Sequence, residues 1–181
     1  AIEIFGQFVG PYPYTEFDIV NAPLVGALGI EYPGVVGISR PLYDGRGSDT
    51  QTALESTVAH EVAHQWFYNV VGNDQPGQPW LDEAMAQYLT MVYYREAYGD
   101  AQAAGVRASW QGRWERVSNQ EIPIGLPAGQ YSGREYGAIV YGRGPLFLEA
   151  LATQMGQPWE AFVRDYYRSY KWGIATTEGF K

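Results

Sequence analysis

The sequence predicts an α+β domain, with a small strand-bearing N-terminal part followed by a mainly helical part. Three observations carry this. At 181 residues, 46% of them hydrophobic, the chain fits one globular domain spanning 1–181. Its first forty residues are rich in Gly and Pro and hold only short β-branched runs. From residue 48 onward, long stretches at helical spacing take over.

The elements follow in order. Ala1 to Val9 reads as the tail of an amphipathic helix broken at Gly10-Pro11, and Phe17–Val20 and Val35–Ile38 are the strand candidates. Leu42 to Gly47 reads as loop. Ser48 followed by Gln51 forms a capping box, opening a helix expected to reach about Val71 and stop at Gly72. Asn73 to Pro79 is a polar turn. A second helix is expected from about Leu81 to Tyr98, ending at Gly99. Ala, Trp and Arg alternate at roughly helical spacing over Asp100–Val117, before Pro123, Gly125, Pro127 and Gly129 mark an irregular loop. Gly144 to Met155 is helical, and Pro158 opens a last helix ending near Trp172. Thr176-Thr177-Glu178 resembles another helix start. Both ends therefore read as those of a domain cut from a longer protein.

Composition excludes several roles. There is no cysteine, so disulfides and thiolate metal sites are ruled out. The net charge is −8 and the only lysines are Lys171 and Lys181, so no basic footprint for nucleic acid is expected. No apolar run reaches membrane-spanning length and no signal peptide opens the chain. Aromatic residues make up 15%, which suggests a packed core and an aromatic-lined cleft. Nothing in the composition bears on cellular location or oligomeric state.

The chemistry concentrates at residues 60–64, His-Glu-Val-Ala-His, inside the first long helix. Positions i and i+4 of a helix lie nearly above one another, so His60 and His64 can reach one metal ion. Glu61 stands one position on, placed to activate water rather than bind metal. A catalytic zinc site takes three protein ligands, so a third belongs on the next element. Glu83 lies there in Trp80-Leu81-Asp82-Glu83-Ala84, at the first turn of the second helix, with residues 65–82 between it and His64. Asp82 is the rival ligand; its other role is that of a helix N-terminal acid. His60 and His64 are the only histidines in the chain, and the reading is one zinc ion in a metallopeptidase.

These residues resemble the gluzincin zinc aminopeptidases, the alanyl-aminopeptidase and leukotriene-hydrolase family, whose signature is H-E-x-x-H, eighteen residues, then E, within W-L-x-E-(A/G). The resemblance implies a thermolysin-like (zincin) core. It extends to Gly10-Pro11-Tyr12-Pro13-Tyr14, similar to the family's G-x-Y-P-Y turn, and to Leu28-Gly29-Ile30-Glu31-Tyr32, which falls where the family carries G-A-M-E-N. There Ile30 and Tyr32 depart from the pattern while Glu31 keeps it. The resemblance gives Glu31 the substrate's α-amine, with Gly29 beside it against the peptide. Downstream, Tyr136 to Gly144 resembles the family's Y-x-K-G segment, with Arg143 in place of Lys. Tyr141 takes the oxyanion-stabilising role by position, and Tyr136 is a second candidate for substrate contact.

The resulting expectation is hydrolysis of peptide bonds, with an aminopeptidase releasing N-terminal residues as the leading reading. Residues 26–34 would lie along the cleft, where backbone groups pair with an extended peptide substrate. An endopeptidase on the same scaffold is the alternative if Glu31 points away from the metal. A zinc-binding but inactive module is the second alternative.

Overall fold

The structure is a computed structural model, and it describes residues 1–45, 47–156 and 158–181. A short helix α1 (Ile2–Phe8) leads into a three-stranded sheet of β1 (Asp18–Ala22), β2 (Gly29–Tyr32) and β3 (Val35–Ser39), in the order β1-β3-β2. β3 is central because its Val-Val-Gly-Ile-Ser run is the most buried, with Val36 and Ile38 fully enclosed. β1 pairs with it in parallel and β2 antiparallel, with Glu31 opposite Val36. Pro33-Gly34 turns β2 into β3, and Gly34 supplies the left-handed backbone (φ +77°) that the turn requires. β2 is thus an edge strand with one unpaired side.

Helices follow: α2 (Arg40–Asp44), α3 (Ser48–Ala63), α4 (Trp80–Tyr98) and α5 (Asp100–Trp114). Next come α6 (Gly133–Ala138), a π-helical turn at Ile139–Arg143, α7 (Gly144–Gln154), α8 (Trp159–Tyr170) and α9 (Thr177–Phe180). A second, two-stranded sheet joins β4 (Val71–Asn73) to β5 (Gly173–Ala175) in parallel. α4 is buried on nearly all sides from Trp80 to Val92, the mark of a central helix. Phe5, Trp66, Phe67, Trp110 and Val163 complete the main core around it. Among the described residues no helix is long and apolar enough to cross a membrane.

Most expected elements form close to their expected bounds, and four readings need correction. The motif helix α3 ends at Ala63 rather than near Val71. The chain tightens there through Gln65 N–H to Val62 O and Trp66 N–H to Ala63 O bonds, which swing Gln65 and Trp66 into the core. Ser48 is the first helical residue rather than the cap; Gly47 occupies the N-cap, and the Ser48 hydroxyl donates to Asp49. Arg40–Asp44 is a short helix where Leu42–Gly47 was expected to be loop, Arg46 lying outside the described residues. Pro158 stands at the N-cap of α8 rather than at its first turn. The start read at Thr176 does cap α9, its hydroxyl accepting from Gly179 N–H.

Candidate metal centre and active site

α3 and α4 pack side by side, and this brings the motif against the first turn of α4. His60 Nε2 lies 3.1 Å from a Glu83 oxygen and 3.2 Å from His64 Nε2, and His64 Nε2 lies 3.5 Å from the same oxygen. All three side chains are buried. His64 Nδ1 donates to the Phe67 carbonyl at 2.9 Å, which leaves its Nε2 lone pair aimed at the other two atoms. A His₂Glu set converging on one point is the donor chemistry of a catalytic zinc site, and these residues could hold that ion. Asp82, the rival, faces elsewhere: it accepts from Asn73 Nδ2 at 2.9 Å.

The electrostatics follow from burial and from this crowding. Burial raises the Glu83 carboxyl, but hydrogen bonds from the two imidazoles outweigh it and hold the group well below the ordinary carboxylate range. Burial lowers the His60 imidazole. It also works against protonated His64, where Glu83 and the more distant carboxylates prevail and raise it. Burial pushes the Glu61 carboxyl up to about 8, opposed by His64 and reinforced by Glu31.

The strand β2 covers this centre. Glu31, Glu61 and His64 bring ligand-type atoms within 4.8 Å of one another, so Glu31 faces the centre. Gly29 lies directly over Glu61, so close that a side chain there would collide with the carboxylate. Both pieces are tied together by Gln65, fully buried, whose Oε1 accepts from Gly34 N–H at 2.8 Å and whose Nε2 donates to Tyr32 O at 3.0 Å. Tyr141, in the π-helical turn, sets its ring 5.8 Å from that of His60. Burial first, and then the nearby Glu83 carboxylate, raise its hydroxyl pKa, so it stays a neutral donor. Tyr136 packs on Tyr141 at 5.6 Å and does not line the cleft. Arg143 turns away, donating to the Gln120 and Ile122 carbonyls at 2.9 Å each and anchoring that loop.

Two residues that sequence reasoning missed complete the surroundings. Gln87 lies one turn beyond Glu83, its Nε2 3.2 Å from His60 Nδ1 and its Oε1 accepting from Trp110 Nε1 and Arg113 Nη1 at 3.1 Å each. The i+4 relation to Glu83 was a readable signal. Arg113 also donates to Tyr141 O at 3.2 Å and so links α5 to the π-helical turn; no local pattern announces that. A cleft of about 930 Å³ opens beside the centre, lined among others by Gly26–Gly29, Thr57, His60, Glu61 and Tyr141.

The sequence pattern of the peptidase family M1 domain matches residues 2–181. The chain belongs to peptidase family M1. This M1 domain is 26% identical over 186 residues to aminopeptidase B of Rattus norvegicus, covering 96% of the chain and 28% of that relative. It is 28% identical over 188 residues to aminopeptidase N of Streptomyces lividans, covering 92% and 21%. The chain thus spans less than a third of the length of these relatives. Its fold matches a yeast LTA4 hydrolase solved in complex with bestatin, with a TM-score of 0.82 at 19% identity over 99% of this chain and 30% of that one. An M1 zinc metallopeptidase from Deinococcus radiodurans matches with a TM-score of 0.71 at 22% identity, over 99% and 37%. The α+β architecture expected from sequence is that of these M1 structures.

Proposed function

We propose that this chain is the catalytic domain of a longer zinc-dependent aminopeptidase that binds one zinc ion through His60, His64 and Glu83. The observation that carries the reading is the convergence of those three buried donors beside two further carboxylates, Glu61 and Glu31. Membership of family M1 supports it. Zinc bound there supplies a Lewis acid beside the scissile carbonyl.

The chain's own residues do the rest. The free edge of β2 offers backbone groups to an extended peptide, which pairs as an added strand. Glu31 meets the α-ammonium in a charge-assisted contact, which limits the substrate to one residue before the scissile bond. Glu61 takes a proton from the attacking water as the new C–O bond forms, then delivers it to the nitrogen as the C–N bond breaks. The Tyr141 hydroxyl donates to the oxygen on which negative charge gathers. Because Glu31 faces the centre, the amine-anchored reading is favoured over an endopeptidase.

Glu61→Gln tests the assignment. The variant is expected to retain stoichiometric zinc and to lose about 10²–10⁴-fold in hydrolysis of free-amine peptides. Turnover comparable to the parent protein would remove Glu61 as the base.

A further inference from the structure

Three arginines line the cleft. Arg113 comes from the last turn of α5, Arg116 lies just past it, and Arg134 stands in the first turn of α6. All three line the cavity that also exposes His60, Glu61 and Tyr141. Among the described residues none of the three is in an ion pair, although the chain carries 20 acidic against 12 basic residues. Arg116 and Arg134 are exposed, whereas Arg113 is half-buried and spends Nη1 on Gln87 and the Tyr141 carbonyl. Burial lowers the Arg113 pKa, and repulsion from Arg116 lowers it further, as expected of cations gathered without a counter-charge.

The position of this cluster relative to Glu31 gives it meaning. Glu31 groups with Glu61 and His64 and does not line the arginine-bearing cavity. A peptide with its amine at Glu31 and its scissile carbonyl beside Tyr141 continues past His60, along Gly29–Gly26, toward the arginines. We propose that Arg113, Arg116 and Arg134 form a carboxylate-recognising subsite for the leaving-group side of the substrate. Guanidinium suits this task because its planar fork matches a carboxylate in a bidentate contact. Two sources present that group just beyond the scissile bond: an acidic side chain, or the free C-terminus of a very short peptide. The inference rests on the aminopeptidase reading for the direction of the chain.

Calorimetric binding to zinc-loaded Glu61→Gln protein, in which peptides stay intact, separates the possibilities. Leu-Asp-amide is compared with Leu-Asn-amide for the side-chain source, and Leu-Gly with Leu-Gly-amide for the terminal source. The acid of at least one pair is expected to bind about tenfold more tightly, with the gap narrowing as ionic strength rises. Adding Arg116→Gln and Arg134→Gln should bring the gap to about twofold or less, and lysine at both positions should restore part of it. Equal binding within both pairs, or a gap that survives the glutamine substitutions, overturns the proposal. Hydrolysis of Leu-Gly-amide by the parent protein is read separately. Its absence would remove the peptidase reading, while the binding pairs would still decide the subsite.

Discussion

Replacing Gly29 by Ala probes the site without touching a ligand or a proton-transfer group. The added Cβ would stand 2.5 Å from Glu61 Cγ and closer still to the carboxylate atoms. Carbon atoms in contact settle at about 3.5 Å, so Glu61 must retreat by about 1 Å. Gly29 does not occupy the left-handed region, so alanine meets no backbone penalty and the whole effect falls on that contact. A misplacement of about 1 Å in a reacting group costs about 100-fold, or about 2.7 kcal/mol of barrier. The expected outcome is a loss of about two orders of magnitude in kcat/KM on a free-amine peptide. Zinc content should be unchanged, because Glu61 lies outside the ligand triangle. Gly105→Ala, on α5 with open space around it, is the control and should leave the rate alone. A folded, zinc-loaded Gly29→Ala protein as fast as its parent refutes the placement of Glu61 as the base beneath β2.

Three further perturbations address separate parts of the site. Tyr141→Phe removes the neutral donor while keeping the ring against His60, and about a 10²–10³-fold fall in kcat is expected in steady-state assays with KM little altered. Glu31→Ala should depress cleavage of free-amine peptides far more than cleavage of their acetylated counterparts; equal loss on both would mean that Glu31 does not hold the amine. Gln87→Leu deprives His60 Nδ1 of its partner and leaves Trp110 Nε1 and Arg113 without their acceptor. The thermal midpoint, measured by calorimetry, should fall, since leaving a buried donor unpaired costs about 1–3 kcal/mol.

The three metal-ligand candidates were legible in the sequence because they stand on helices, whereas Glu31 and Tyr141 were read only from a family resemblance. His60 and His64 are one turn apart, and Glu83 sits in the opening turn of the next long helix, which packs against theirs. β2 was harder to read as a strand. It is four residues long, begins with glycine, and owes its place to a Pro-Gly turn and to Gln65, a contact 31 residues away from Gly34. The end of α3 was illegible for a related reason, since neither Gly nor Pro marks Ala63 and burial of Gln65 and Trp66 sets the stop. Arg113 and Arg134 are brought together by the packing of α5 and α6, which no local pattern encodes.

The Gln65 clamp separates where β2 lies from which side chains it carries. The amide grips β2 through the carbonyl of Tyr32 and the N–H of Gly34, both main-chain atoms. Such a grip is blind to side-chain identity. Residue 32 can therefore change its side chain without moving the strand or the neighbouring glutamate. Tyr32, half exposed at 54%, is free to reshape whatever it touches on the solvent side. The outer face of the strand can thus change its side chains while one buried glutamine keeps its main chain against the end of α3.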